Sequence, residues 1–298
     1  MHLVDAPDPI PGEGELAVRV EAAGVNPIDW KLRSGLRPSA AITEPRRVGS
    51  DAAGVITALG AGVDGFAVGD PVVLKGVSGA YATDVVVSAA NAWIRPPQVT
   101  AVEGASLGVP VGTAYQTLRS LRVGPGDTLL VHGGSGAVGQ AIIQYAVLWG
   151  ATVLATASPA RFDRVRALGA IPIAYGPGLA DRVRETARGG VHVAIDSAGT
   201  DEALQTSVEL VVDKARIATL VRGRDAQGYG IRAFSGGSPE PLTDQQNAWR
   251  TEAIPVTLAL MAAGSFSVEP GPTFPLADAT EAHRTGQAGA RGKIVLLP

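Results

Sequence analysis

Apolar and polar positions alternate from Leu16 to Glu21, with Leu16, Val18 and Val20 on one face and Ala17, Arg19 and Glu21 on the other. A two-residue period is that of a half-buried strand. Further strands are predicted at 52–59, 71–74 and 80–87, cut by turns that carry Gly60, Gly62, Gly65, Gly69, Gly76 and Gly79. After the first strand, Asn26-Pro27-Ile28-Asp29 opens a short helix, since the fixed φ and missing N–H of Pro27 suit a first helical turn. Up to about residue 109 the chain therefore reads as a small β-barrel-like domain.

The rhythm then changes. Helices predicted at 101–107 and 113–121 lead into strands at 128–132, 152–156, 171–174, 191–196 and 215–220 with helices between them, and 229–234 reads as a last strand. Regular alternation of strand and helix predicts a doubly wound parallel sheet, an α/β fold. Residues 236–247 read as a loop and 248–263 as a helix, while the tail, helical at 275–283 and extended at 293–297, has no strand-helix-strand rhythm of its own. The expected division is a catalytic domain beginning at 1–112, a dinucleotide domain at 113–250, and a segment 251–298 that returns to complete the first.

The stretch DTLLVHGGSGAVGQAIIQYAVLWGATVLATAS, residues 127–158, carries the most specific local signal. Leu129, Leu130 and Val131 form a buried strand, and Gly134, Gly136 and Gly139 give G-x-G-x-x-G opening an amphipathic helix. Gly134 is expected to permit the tight turn, Gly136 to let backbone approach a pyrophosphate, and Gly139 to bring helix and strand close. The helix N-terminus then offers unpaired N–H groups and a positive dipole end to the phosphates. At the tip of the second strand an NAD-specific fold places an acid for the ribose 2′-OH. This chain has Ser158 and Arg161 there and no acid before Asp163. A hydroxyl and a guanidinium suit a 2′-phosphate, hence NADPH, the alternative being that Arg161 and Arg164 form a solvated helix face.

Composition narrows the classes. A length of 298 residues with 46% hydrophobic residues supports two folded domains, and a net charge of −3 without a basic run argues against nucleic acid as partner. Cysteine is absent, which removes disulfides, thiolate nucleophiles and cysteine-ligated metal sites. There is no basic segment followed by an apolar core at the N-terminus and no apolar run long enough for a membrane, so a soluble cytoplasmic protein is expected.

The ordered series AGVNPIDWKLRSG, GSDAAGVITALGAGVDGFAVGDPVV, GAYATDVVV, GVPVGTAYQTL, VHGGSGAVG, VAIDSAG and ARGKIVLLP covers nearly the whole chain. It resembles the zinc-free medium-chain dehydrogenase/reductases, in their quinone oxidoreductase and zeta-crystallin branch. The resemblance implies a GroES-like catalytic domain, closed by the C-terminal segment, and a Rossmann domain, with NADPH in the cleft. In zinc-dependent relatives a cysteine stands where this chain has Asn26 and a His-Glu pair where it has Ser50 and Asp51, so no metal is expected. Relatives also carry an apolar strand ahead of the segment equivalent to 4–9, whereas here Met1 directly precedes His2-Leu3, so that either a first barrel strand is lacking or the start was assigned late.

The reaction implied is hydride transfer from NADPH to a quinone or an α,β-unsaturated carbonyl, which needs donors for a developing oxyanion and then a proton. Lys31, Asn26, Asp29 and Tyr81 are the catalytic candidates. Lys31 serves an oxyanion, a cofactor phosphate or ribose, or is a solvated helix lysine. Asn26 and Asp29 resemble the family's pair near the nicotinamide ribose and substrate carbonyl, or cap the short helix. Tyr81 is a cleft residue or a packed strand tyrosine. Thr113 resembles the family threonine at the nicotinamide, or caps its helix. Ser135, Ala137 and Val138 are carried over as pyrophosphate-loop contacts, and Gly199, in the DSAG turn, as a ribose neighbour, with Asp196 as readily structural. His132 reads as a core histidine. Enoyl-thioester reduction and a non-catalytic NADPH-binding scaffold are the alternative functions. A homodimer is expected through strand 229–234, and the loops 37–47 and 236–247 are expected to shape the substrate pocket.

Overall fold

The computed structural model describes residues 1–36, 44–234, 238 and 240–298, so the loops 37–47 and 236–247 fall partly outside the described residues. The chain divides into two compact units, residues 1–109 with 254–298, and residues 110–253.

The first unit opens with strand β1 (Glu15–Gly24), helix α1 (Pro27–Arg33), strands β2 (Asp51–Leu59), β3 (Pro71–Lys75), β4 (Asp84–Ser88) and β5 (Ala92–Ile94), and helix α2 (Ala101–Ala105). The alternation read in β1 holds for its apolar set, with Leu16 and Val18 fully buried and Arg19 exposed. Residues 15–19 of β1 pair with β4 and residues 16–24 with β2, the register shifting twice along the second pairing. Residue 81 is not in a strand. Gly79 has φ 93°, and the N–H groups of Gly79, Ala80 and Tyr81 bond to the carbonyls of Gly49 and Val48, so the predicted strand 80–87 starts only at Asp84.

The second unit follows through helix α3 (Gly108–Ser120) and then β6 (Thr128–His132), α4 (Ala137–Leu148), β7 (Thr152–Ala157), α5 (Phe162–Ala167), β8 (Ile171–Ala174), α6 (Leu179–Thr186), β9 (Val193–Asp196), α7 (Asp201–Leu210), β10 (Ile217–Thr219), α8 (Ala226–Tyr229), β11 (Arg232–Ala233) and α9 (Asp244–Ala262). All six strands are parallel, in the order β11-β10-β9-β6-β7-β8. This is the doubly wound dinucleotide arrangement, whose ligand crevice lies beyond the strand ends where the order reverses, here between β6 and β9. Leu129, Leu130, Val131, Ile142, Ile143 and Ile195 are fully buried around it, each worth about 1.5–3 kcal/mol of burial. The expected strand 229–234 is corrected: Tyr229 closes α8, Gly230 turns the chain at φ 67°, and only Arg232 and Ala233 pair with β10.

The tail returns to the first unit as β12 (Pro270–Pro275), α10 (Ala279–Gln287) and β13 (Lys293–Leu297). The sheet there runs β12-β13-β1-β2-β3-β5, with β4 also on β1. Strand β12 was unread in the sequence because PGPTFP carries three prolines; with one partner it is an edge strand, where proline costs no ladder bond. Leu16, Val18, Ile56, Leu74, Val85, Ile294 and Leu296 form this unit's core.

Candidate active site residues

In the second unit, β6 ends at His132 and the chain turns through Gly133, whose φ is 77°. The tight turn thus belongs to Gly133 and not to Gly134. A Cβ on Gly134 would lie 2.6 Å from Ala155 Cβ, and one on Gly139 would lie 2.2 Å from the Gly133 carbonyl, so both are held to glycine by close packing. Gly136 differs: a Cβ there would meet nothing nearer than the Gly133 oxygen at 3.5 Å. It is the N-cap of α4 and no side chain caps that end, which leaves the first N–H groups, those of Ala137 and Val138 among them, for a bound anion. Ser135 is half-buried on the same loop, its carbonyl held by Gln140 Nε2 at 2.8 Å. Gln140 Oε1 in turn accepts from Arg164 Nε at 2.8 Å. A pyrophosphate therefore has both space and donors here.

At the end of β7, Thr156 ties the loop down, its carbonyl accepting from Gly134 N at 2.9 Å and its hydroxyl from Gly133 N at 3.1 Å. Ser158 follows with no side-chain cap, and Arg161 closes the next turn. The nearest acid, Asp163, is exposed and bonded by Arg166 at 2.8 Å. At the end of β9, Asp196 is a turn-builder, its Oδ1 accepting from Ala198 N and Gly199 N and its Oδ2 from the Thr219 hydroxyl. Gly199 has φ 74° and a Cβ there would meet Val221 at 2.6 Å. Thr113 is buried within α3, where it cannot be an N-cap, and its hydroxyl accepts from Arg250 at 3.4 Å. His132 is buried beside Asp196 in register, with its pKa lowered to about 4 by burial and Nε2 without a partner.

In the first unit, three strands converge on Asn26. It is 1% exposed and is the N-cap residue of α1, and its side chain bonds to the heads of two strands. Its Nδ2 donates to Asp51 Oδ2 at 2.8 Å and its Oδ1 accepts from the Lys293 ammonium. Asp51 heads β2 and also accepts Val109 N at 2.8 Å, while Lys293 heads β13 and also donates to the Val25 carbonyl at 2.8 Å. Burial drives the Lys293 pKa down, opposed by the charges of Asp51 and Asp29.

Asp29 lies one helical turn on. Its Oδ2 accepts Asn26 N at 2.8 Å and the Tyr81 hydroxyl at 3.0 Å. Burial raises its pKa to about 6 against the pull of the Asn26 hydrogen bond, Lys293 and Tyr81. Tyr81 OH is also 3.1 Å from His283 Nε2, and burial first, then Asp29, pushes its pKa up. Its ring packs where Gly49, at φ 97°, leaves no room for a Cβ. Asn26, Asp29, Asp51, Lys293 and His283 are all buried, whereas Tyr81 is half-buried. Lys31 is also half-buried, on α1, and its ammonium pairs with none of the described residues. A phenol hydroxyl thus rests on a carboxyl that titrates near neutrality, beside an amide that binds both a carboxylate and an ammonium.

Both units have counterparts among known proteins. Residues 12–109 match the alcohol dehydrogenase GroES-like domain and residues 137–227 the zinc-binding dehydrogenase family. A mycobacterial quinone oxidoreductase structure shares 31% identity at a TM-score of 0.77, covering 99% of this chain and 94% of that one. The chain belongs to the medium-chain dehydrogenase/reductase family. Quinone oxidoreductase of Escherichia coli, solved in complex with NADPH, is another member alike in fold, with 26% identity, a TM-score of 0.84 and coverage of 100% and 95%. A pikromycin polyketide synthase component from Streptomyces venezuelae is 34% identical over 307 residues, which is 98% of this chain and 8% of that protein. This member of the family thus combines the GroES-like unit with the doubly wound unit read in its sequence. Among its described residues no group of three or more His, Asp or Glu is placed to hold a metal, and no helix is long and apolar enough to cross a membrane.

Three participants were missed in the sequence. Gly133 stands beside the fingerprint, Lys293 hid as the first residue of an apolar strand, and His283 sits on a tail helix with no motif. Only Lys293 had a readable signal, a charge at the mouth of the apolar run IVLL.

Proposed function

We propose that this chain is an NADPH-dependent reductase that delivers hydride, without a metal, to a quinone or an α,β-unsaturated carbonyl compound. The observation that carries the reading is the Asn26–Asp51–Lys293 cluster with Tyr81 and Asp29 beside it. Where zinc-dependent relatives have ligands, this chain has an amide that bridges a carboxylate and an ammonium, and supplies an acid next to them. NADPH, when bound, supplies the hydride. Gly134, Ser135, Gly136, Ala137, Val138 and Gly139 cradle its pyrophosphate, Thr113 and Gly199 take the nicotinamide half, and Ser158 and Arg161 take the 2′-phosphate. Lys31 balances the negative charge that develops on the acceptor oxygen, and Tyr81 gives the proton. Asp29 resupplies Tyr81 in its protonated form, and Asn26 anchors the start of the helix that bears Asp29 and Lys31.

Rapid oxidation of NADPH by the purified chain with 1,4-benzoquinone or an alkyl vinyl ketone, insensitive to chelators, is the expected result. Tight NADPH binding with no turnover of any such acceptor would sink the reading and leave a cofactor-binding scaffold. A second reading, enoyl-thioester reduction, is favoured by the polyketide synthase relative; faster turnover of a crotonyl thioester than of the quinone would select it. For the cofactor, an unchanged NADPH-to-NADH preference in Arg161→Ala would refute the 2′-phosphate role. We also propose a homodimer formed along the edge strand β11, against which a monomer in light scattering would count.

A further inference from the structure

Proton transfer as read above begins at Tyr81, and the groups behind its hydroxyl decide how that proton leaves. Two touch it: Asp29 Oδ2 at 3.0 Å and His283 Nε2 at 3.1 Å. His283 is fully buried on α10, edge-on to the rings of Trp30 and Tyr81 at centroid distances of 5.9 and 5.8 Å. Its Nδ1 has no hydrogen-bond partner. A neutral imidazole so placed has two tautomers. Hydrogen on Nδ1 leaves a buried N–H without an acceptor; hydrogen on Nε2 leaves only a bare lone pair and uses the N–H on Tyr81. Orphaned buried N–H groups are the rarer case, so the network assigns Nε2–H.

We propose that His283 is a positioning residue for the reduction: its Nε2–H holds the Tyr81 oxygen so that this hydroxyl passes a proton from Asp29 to the reduced substrate. The proposal rests on Tyr81 being the proton donor. While Asp29 is a carboxylate, Tyr81 accepts from His283 and donates inward to Asp29. Once Asp29 is protonated, the Tyr81 oxygen accepts from both neighbours. His283, being a donor, cannot take the tyrosine hydrogen, which turns outward.

The step balances. Hydride adds to the acceptor, and the Tyr81 O–H bond breaks as an O–H or C–H bond forms on the substrate. The Asp29 O–H bond then breaks as its proton moves to the tyrosinate oxygen. The Asp29 carboxylate is reprotonated from water before the next turnover. Through the interval in which Tyr81 is an anion, the imidazole N–H stays on its oxygen. Burial, with Arg33 and the N-terminal amine as further causes, lowers the His283 pKa to about 4, which keeps it a neutral N–H donor. The other ionisable groups of the cluster are Asp29 on α1, Tyr81 ahead of β4, and Asp51 and Lys293 behind Asp29.

The test has two readouts. Nitrogen-15 NMR of histidine-labelled, cofactor-free protein should show His283 as the Nε2–H tautomer, with that N–H signal lost in His283→Leu and displaced in Tyr81→Phe. In turnover, His283→Leu should lower kcat by about 10- to 100-fold, with KM for the acceptor and NADPH affinity unchanged, and His283→Gln, which keeps an N–H, should recover to within about threefold of the parent. An Nδ1–H tautomer overturns the proposal, as does a near-parental kcat in His283→Leu when Tyr81→Phe is inactive. Full kcat in Tyr81→Phe overturns the donor assignment itself, and the proposal with it. The tautomer measurement uses the unaltered chain, so it decides even where His283→Leu does not fold.

Discussion

Lys293→Met removes the ammonium from the centre of the first unit while keeping a flexible apolar stem of similar reach. Lys293 is 5% exposed and Asp51 1% exposed, so neither gains water readily when the other is lost. Asp51 would keep its bonds from Asn26 and Val109 but face no cation at its side. The Val25 carbonyl would lose a donor and the Asn26 carbonyl oxygen its ammonium partner. Lys293 makes no direct ion pair with Asp51, both being bound to Asn26. The cost is therefore that of two buried oxygens left without their donor plus the lost attraction of the nearby charge, about 1–3 kcal/mol, a large share of the roughly 5–15 kcal/mol that holds a domain folded. Asp51→Asn added to Lys293→Met removes the stranded charge, so the double variant should be more stable than the sum of the single losses by about 1–3 kcal/mol. Urea unfolding followed by tryptophan fluorescence measures this, in a background carrying Trp149→Phe and Trp249→Phe so that Trp30 and Trp93 report on the first unit alone. A Lys293→Met loss below about 1 kcal/mol, or strict additivity with Asp51→Asn, would refute the internal-cation argument.

Gly136→Ala should fold like the parent, because its Cβ makes only an ordinary contact with the Gly133 oxygen, but weaken NADPH binding; Gly134→Ala should lose stability by about 1–3 kcal/mol through overpacking against Ala155. Thermal melts with and without NADPH separate the two, and equal melting temperatures without cofactor would contradict the packing difference. Asp29 has a folded pKa of about 6, above its ordinary value of 3.8. Its contribution to stability is therefore fully present below 3.8 and lost as pH rises through 6. Asp29→Asn should thus be more stable than the parent at pH 8, by up to about 3 kcal/mol, and gain little at pH 3.5. Comparing the two chains at each pH cancels His132 and His283, whose lowered pKa values, about 4, give stability above their ordinary value of 6.5 that is lost as pH falls through 4. A pH-independent difference would show that Asp29 is not the group involved.

Much of the fold was legible because it is written locally. Strands 128–132, 171–174 and 293–297 begin and end where read, each an apolar run bounded by glycine, proline or charge. The cofactor loop was legible for the same reason, its residues being contiguous. What escaped is what the third dimension assembles. The Asn26–Asp51 and Asn26–Lys293 bonds span 25 and 267 residues, and no spacing rule links them. The capping alternative for Thr113 falls because its helix begins five residues earlier, at Gly108, than the polar pattern suggested. Tyr81 was read into a strand because its neighbours have strand composition, while backbone bonds to Gly49 and Val48 hold it in a loop.

The return of β13 to β1 also sets an order of events during synthesis. The second unit is one uninterrupted stretch, residues 110–253, and has all its strands once that stretch has left the ribosome. The first unit must wait for Lys293, 267 residues after Asn26, an interval of roughly 10–50 s at ordinary translation rates. Throughout it, the Ala23–Gly24 edge of β1 lacks its partner strand and the Asn26–Asp51 pair lacks its cation. The half of the molecule translated first is therefore the half finished last, and its exposed strand edge is where a nascent chain of this design is most open to chaperones or to mispairing.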